Sequence, residues 1–181
     1  LPTGYARFEI SYLVQQDITK MKKREYSWPV GHWDWYQHLA FKHGIRVGDL
    51  MFVGGQVDKT DQGEPLHAYD LKRQTESVVS HLETVLHGLG SGLKDVTRLV
   101  AFYANDGNVD EQAFLEHVGL CIINDSGDTL RDCGPAITAV PLPCLALPGM
   151  MVEIEAVAIA PGSGNDRQVA NPRGFAQLPA P

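Results

Sequence analysis

The sequence predicts an α+β fold in which two helices cover one face of a mixed sheet. Three observations predict it. The elements follow the order strand, strand, helix, strand, helix, strand, strand, which is typical of helices segregated to one side of a sheet. One helix has a clear apolar face. The chain of 181 residues is 44% hydrophobic, which suffices for a single core without disulfides or a structural metal.

The first two predicted strands differ in pattern. Residues 6–14 (ARFEISYLV) alternate apolar and polar side chains, as in a strand with one buried face. Residues 28–36, rich in Trp, Pro and Gly, are expected to be irregular and to lie against another part of the protein. Residues 50–53 (LMFV) form a short apolar run, and we expect Gly54 and Gly55 to end this strand.

The clearest element is a helix that begins after Asp70. Apolar residues recur along it at three- and four-residue steps, whereas most charged residues fall elsewhere. The apolar positions are Val78, Leu82, Val85, Leu86 and Leu89. Asp70 is a suitable N-cap, and Gly88 and Gly90 indicate where the helix ends.

The second half of the chain supplies one helix and three strands. We expect strands at 97–103, 136–140 and 152–160, and a short helix at 109–119. The apolar stripe of this helix is Phe114, Leu115 and Val118. Residues 124–134 read as a polar insertion, and a proline-rich loop, PLPCLALPG, separates the last two strands.

Composition excludes several classes of function. Fifteen Lys and Arg against 22 Asp and Glu give a formal net charge of −7, which disfavours binding to phosphate backbones. The apolar runs are far shorter than the roughly 20 residues of a membrane span, and no targeting pattern is visible. Three cysteines without CxxC spacing indicate a reducing compartment. We expect a cytoplasmic protein that binds neither nucleic acid nor a membrane.

Motifs for metals, cofactors and nucleophiles are absent from the sequence. Seven histidines show no HExxH motif and no paired Cys/His spacing, so we favour surface or hydrogen-bonded histidines over metal ligands. GxSxG, P-loop and dinucleotide-binding motifs are also missing. Cys144 is a lone cysteine, a type that is more often a small buried hydrophobe than a nucleophile. We predict no metal and no cofactor.

Two acidic residues, Glu153 and Glu155, lie in the last predicted strand. Their two-residue spacing puts both on one face, opposite Ile154. One interpretation is that they are solvated or paired with a cation, and the other is that one is a general acid/base that orients water in a partly dry cleft. The spacing alone favours the first interpretation.

Several stretches taken together resemble the Rid family, the reactive-intermediate enamine/imine deaminases that are also described as L-PSP endoribonuclease-like proteins. The segment GDLMFVGGQ at 48–56 resembles the family's strand ending in Ser-Gly-Gln, and the helix after Asp70 resembles its first helix. Pro135-Ala136 and the segment VEIEA at 152–156 complete the match, which covers roughly residues 36–160.

The resemblance implies an organisation in three parts and a quaternary structure. Residues 1–35 are an N-terminal extension with one strand, 36–160 form the Rid-like domain, and 161–181 form a polar tail rich in Gly and Pro. The family fold is a chorismate-mutase-like α+β sandwich assembled as a homotrimer. Small molecules bind in the clefts between its subunits.

The resemblance also implies site residues. In deaminating members the glutamate at the position of Glu153 holds the water that attacks an imine carbon, so Glu153 is the candidate catalytic residue. The candidate substrate-binding residues are Phe41, Gly54, Gly55, Ile137, Ala139, Cys144 and Tyr103. The arginine that binds the substrate carboxylate in those members is replaced here by Ile137. The cations that remain as substitutes are Lys42, His43, Arg46 and Arg98, with His43 counted if protonated.

Three functions remain open at this point. The first is a cofactor-independent hydrolytic deaminase or related hydrolase that acts on an enamine, an imine or a conjugated small molecule such as an aminomuconate. The second is a non-catalytic trimer that binds or senses a small ligand, since the arginine is missing. The third is an endoribonuclease, which the net charge of −7 disfavours.

Overall fold

The computed structural model describes residues 23–33, 38–126 and 134–160. The elements in these ranges are β1 (Arg24–Ser27), β2 (Gly44–Val47), β3 (Leu50–Val57), α1 (Leu71–His87), β4 (Val96–Ala104), α2 (Glu111–Ser126), β5 (Ala136–Leu142) and β6 (Val152–Ile159). The predicted strand at 6–14 and the tail at 161–181 lie outside the described residues. Neither described helix has the length and apolar character needed to cross a bilayer.

The six strands form one mixed sheet in the order β1-β2-β3-β6-β4-β5. Neighbouring strands are antiparallel, except that β4 and β5 are parallel. Both helices pack against the same face, where their apolar side chains share a core with Leu99, Ala101 and Tyr103 of β4. The predicted α+β fold, with two helices on one face of a mixed sheet, is therefore confirmed.

Helix α1 begins and ends where the sequence predicts. The Asp70 carboxylate accepts a hydrogen bond from the Arg73 backbone N–H at 3.0 Å, as expected of an N-cap. The helix ends at His87 and is followed by Gly88. Its apolar face lies fully buried against the sheet, so burial of that face drives α1 onto the sheet.

Strand β3 contradicts one expectation. Gly54 and Gly55 do not end the strand, which continues to Val57. A β-bulge lies between Val53 and Gln56 where β3 pairs with β6. Because a bulge adds one residue, Val53 and Gln56 are both buried although they are three residues apart. The glycines therefore change which face the following residues occupy.

Other elements also differ from the prediction. Helix α2 extends past 119 to Ser126, into the segment expected to be a polar insertion. Its buried residues are Phe114, Val118 and Ile122, while Leu115 is only half-buried. Strands β1 and β2 are not predicted, because four residues are too few for an alternating pattern to be recognised.

The face of the sheet opposite the helices is open in a single chain. It exposes Leu50, Phe52 and Ile159, whose exposed fractions lie between 40% and 46%. Val100 and Val157 are half-buried beside them. This open face is an apolar surface, and it also carries the acidic residues of β6.

Candidate functional site

Glu153 lies on the open face, between the two strands that flank β6. It is opposite Val57 of β3 and Phe102 of β4. Its side chain is half-buried, whereas Glu155 on the same face is exposed and Ile154 points into the core. The two carboxylates thus share a face, as their spacing predicts, but only Glu153 is partly removed from water.

The absence of a side chain at Gly55, in the bulge of β3, leaves room for the Glu153 carboxyl group. A Cβ atom at position 55 would overlap Glu153 Oε1 and would lie 2.7 Å from its Cδ. Only glycine at position 55 therefore lets the carboxyl group rest on the strand. A Cβ atom at Gly54 would meet only backbone carbonyl oxygens at 3.8 and 3.9 Å, which are ordinary contacts.

Burial raises the pKa of the Glu153 carboxyl group, and the negative charge of Glu155 raises it further. The Lys59 ammonium group opposes both effects and lowers the pKa. A carboxyl group whose pKa is raised in this way exchanges protons nearer to neutral pH, which suits a general acid/base. Lys59 is not among the residues expected from the sequence, because that expectation ends β3 at the glycines, whereas the strand continues to Val57, two residues before Lys59.

An open cavity of about 300 Å³ lies on the same face, beside Gly54. Its walls are mostly apolar and include Phe52 and Val100, and its charged lining residues are Lys42, Arg98 and Glu155. Glu153 is not among the described lining residues, but Gly54 joins the cavity to Gly55, which contacts Glu153. The cavity therefore lies beside the half-buried Glu153 carboxyl group.

The structure separates the four cations considered as substitutes for the missing arginine. Lys42 and Arg98 line the cavity. Arg46 instead donates to the carbonyl oxygens of Gly48 and Leu89, both at 2.9 Å. Burial, followed by the charges of neighbouring histidines, lowers the pKa of His43 to about 4, so it is neutral at pH 7. Lys42 and Arg98 are the two that can meet an anion at this face.

Three candidate residues lie on the helix side of the sheet, away from Glu153. Tyr103 is fully buried, and its hydroxyl donates to a Glu111 carboxylate oxygen at 2.9 Å. Ile137 and Ala139 are half-buried and pack against the same core. Within one chain, the structure does not bring these three side chains to the open face.

The two remaining candidates lie elsewhere. The Phe41 ring contacts the rings of Trp28 and His43, with centroids 5.5 and 5.7 Å apart. Cys144 is exposed and lines a second cavity of about 570 Å³, formed by the proline-rich loop and Tyr69. Of the candidate residues, the structure thus brings together Glu153, Gly54 and Gly55.

Sequence reasoning missed a cluster of three histidines on the helix side of the sheet. His32 and His43 lie against the buried Gln56 side chain, and the His81 ring packs on the His32 ring. They come from distant parts of the chain, so no spacing motif signals them. Within residues 23–33, 38–126 and 134–160, no group of three or more His, Cys, Asp or Glu residues is arranged to hold a metal ion.

Comparison with known proteins gives a consistent match at the level of sequence. A family model described as Endoribonuclease L-PSP matches residues 36–160. A RutC family protein of Pyrococcus abyssi is 25% identical over 120 residues, which cover 65% of this chain and 84% of the relative. The RutC family protein YjgH of Escherichia coli is 28% identical over 88 residues, or 49% of this chain and 66% of the relative.

Solved structures match the fold. The structure of protein YjgH has a TM-score of 0.56 at 27% identity, covering 76% of this chain and 97% of that one. The structure of Rv2704 of Mycobacterium tuberculosis, a member of the YjgF/YER057c/UK114 family, has a TM-score of 0.56 at 22% identity. The match covers 76% of this chain and 100% of that one.

Proposed function

Since the chain belongs to the Rid/YjgF family, whose model carries the description Endoribonuclease L-PSP, we propose that it is a cofactor-independent hydrolytic deaminase. Its substrate is an enamine, an imine or a conjugated small molecule such as an aminomuconate, and Glu153 is its catalytic residue. The single observation that carries the proposal is the half-buried Glu153 carboxyl group, held against Gly55 with a raised pKa.

Such a carboxyl group can perform the proton transfers of imine hydrolysis. The Glu153 carboxylate accepts a proton from water while the water oxygen bonds to the imine carbon. The same proton is then passed to the nitrogen, which gives a carbinolamine. Glu153 next takes the hydroxyl proton of this intermediate and passes it to the amino group, the C–N bond breaks, and ammonia leaves as the hydroxyl oxygen becomes the carbonyl oxygen. Imine and water thus give carbonyl compound and ammonia, and one residue serves as base and then as acid.

The cavity beside Gly54 supports a substrate with an anionic group. Lys42 and Arg98 provide positive charge on a mostly apolar wall, to which Glu155 adds a negative charge. Ile137, at the position of the family's arginine, packs against the core and offers no charge. We expect 2-iminopropanoate to be a poor substrate, because its carboxylate would lose hydration without a cation at position 137, and Lys42 and Arg98 lie on the other face of the sheet.

We also propose that the active form is a homotrimer. The open face exposes Leu50, Phe52 and Ile159 to water in a single chain, and packing such faces together removes them from it. Phe41 and Cys144 are exposed, so a neighbouring copy can bring them to the cleft. No such route is evident for Tyr103, which is fully buried.

Ammonia release from a panel of unsaturated amino acids and aminomuconate-type compounds tests this function. Glu153→Gln keeps the side chain's size but removes the base, so turnover should fall by roughly 100-fold or more. Glu116→Gln is the control, because it changes an exposed carboxylate on α2, outside the site, and should keep turnover. Equal turnover by wild type and Glu153→Gln would place the chemistry elsewhere.

The absence of ammonia from every compound, combined with saturable binding of one of them, would instead support a ligand-binding trimer. Ile137 is the observation that favours this second function, since the family's arginine is missing there. Cleavage of RNA by the homogeneous protein would contradict both functions.

A further inference from the structure

The histidine cluster lies directly behind the site, on the helix side of the sheet. The ring centroids of His32 and His43 are 4.7 Å apart, and those of His32 and His81 are 5.0 Å apart. Trp33 stacks on His32 with centroids 4.6 Å apart and contacts the other two rings edge to face. His32 and His43 are 7% and 2% exposed, so they are almost completely removed from water.

Gln56 connects this cluster to the bulge in β3. Its side chain is completely buried. Its Nε2 donates to the Gly54 carbonyl oxygen at 2.8 Å, and its Oε1 lies 2.8 Å from His32 Nε2, which donates to it. The same Nε2 is 3.5 Å from His43 Nδ1, so the neutral histidine faces the amide with a lone pair.

We propose that Gln56 is a positioning residue for Glu153, and that protonation of His43 turns the Gln56 carboxamide away from the bulge. The histidine cluster is thereby connected to the site through the backbone of Gly54 and Gly55. This inference rests on the proposed function, because it concerns the same site.

The direction of the effect follows from the donor and acceptor atoms. A proton added at His43 Nδ1 points an N–H group at the Gln56 NH₂ group, so two donors face each other. Half a turn of the carboxamide presents its oxygen to His43 and removes the hydrogen bond to the Gly54 carbonyl oxygen. It also turns the NH₂ group towards His32, whose ring must then move its proton from Nε2 to Nδ1 so that Nε2 accepts. The Gly54 carbonyl group has lost its side-chain donor, so the bulge relaxes. Gly55 moves with it, and the Glu153 carboxyl group rests on Gly55.

Burial, more than charge, keeps His43 and His81 neutral at pH 7. Burial lowers the pKa of His43 to about 4, and the charges of His32 and His81 add to this effect. Burial also lowers the pKa of His81, although the Val57 carbonyl group and the Asp58 carboxylate raise it in part. His43 and His81 are therefore both neutral above about pH 6.5. His43 becomes charged as the pH falls towards its own pKa.

The other elements packed against the cluster add few charges. From the end of β3, Asp58 accepts hydrogen bonds from the backbone and the ring of His67. From the segment before β2, Lys42 Nζ lies 5.5 Å from the centroid of the Trp28 ring. The proline-rich loop contributes apolar side chains that pack with Trp33. Among these described groups, only Asp58 favours a protonated histidine.

A titration by NMR tests the inference without an activity assay. The protein is labelled with ¹⁵N-glycine and ¹³C-histidine in the Glu153→Gln background, so that Glu153 itself does not titrate. The Gly54 N–H donates to the His43 carbonyl oxygen at 2.9 Å and therefore reports His43 directly, so the Gly55 amide is the informative one. We expect the Gly55 amide resonance to move with the midpoint of His43. His43→Gln should abolish that movement, and His87→Gln, which changes an exposed histidine at the end of α1, should leave it intact. A Gly55 amide that stays still while His43 titrates would overturn the inference.

Gln56→Glu provides a second test that does not depend on how well the His43 variant folds. A carboxylate at this position favours protonated His43, so the midpoint of His43 should rise by about one pH unit or more. An unchanged midpoint would also overturn the inference. If the Gly55 amide resonance follows the titration of His43 but the wild-type protein turns over no compound, the proposed function fails and the inference about positioning stands.

Discussion

The contact between Gly55 and Glu153 shows how one missing side chain shapes this site. We expect Gly55→Ala to push the carboxyl group off the strand and to lower turnover by about 10-fold or more, because small displacements of a catalytic group are costly. Gly54→Ala is the matched control, because its Cβ meets only ordinary contacts. Steady-state kinetics with thermal melts of both variants distinguish a site effect from unfolding. Equal activity of the two variants would contradict the geometry described for Glu153.

The raised pKa of Glu153 predicts the pH dependence of turnover. As the pH falls through this raised pKa, the carboxylate takes up a proton and the base is lost, so the acid limb of kcat should lie above the usual carboxyl range. Glu155→Gln removes a repulsive charge and should move the limb to lower pH. Lys59→Met removes an attractive charge and should move it to higher pH. A limb that neither variant moves would show that another group controls the rate.

At the scale of elements, the N-cap of α1 is the clearest agreement between sequence and structure. Asp70→Ala removes the hydrogen bond to the Arg73 N–H, so the free energy of unfolding should fall by about 1 kcal/mol. Asp70→Ser keeps a side-chain acceptor and should lose much less. Urea unfolding curves of the three proteins measure the difference. An equal loss in both variants would show that the carboxylate does more than cap the helix.

Strand β3 joins the two faces of the sheet through its bulge. Gly55 on one side supports Glu153, and Gln56 on the other side meets His32 and His43. A regular strand would place residues 53 and 55 on the same face and would send Gln56 to the open one. Because of the extra residue in the bulge, the histidine cluster and the acidic site lie on opposite faces of the same short segment of β3.

At the scale of the whole molecule, the open apolar face predicts self-association. Light scattering after gel filtration should give about three times the mass of the chain. Phe52→Asp places a charge in the centre of that face and should yield smaller species. Leu120→Asp is the control, since it alters an apolar residue that is equally exposed on α2. A wild-type monomer at micromolar concentration would contradict the trimer and the cleft between subunits.

Features that depend on local periodicity are predictable from the sequence. The apolar face of α1, its cap at Asp70 and the shared face of Glu153 and Glu155 follow from spacings of a few residues, and the structure has them. The ordered motifs from 36 to 160 likewise identified the family. These features are readable because each is set by neighbours within one or two turns of the chain.

Contacts between distant residues depend on packing and are not predictable from spacing. Gly54 and Gly55 looked like a strand end, because glycine breaks a pattern in the same way whether the strand stops or bulges. Because of that ambiguity, the sequence does not indicate that Lys59 acts on the pKa of Glu153, or that the Gln56 side chain contacts His32 and His43. It also left open which of Lys42, Arg46 and Arg98 faces the cavity, since packing between strands places a side chain on one face or the other. A one-residue bulge moves every following residue of the strand to the opposite face of the sheet. The bulge in β3 depends on pairing with β6, which is distant in sequence.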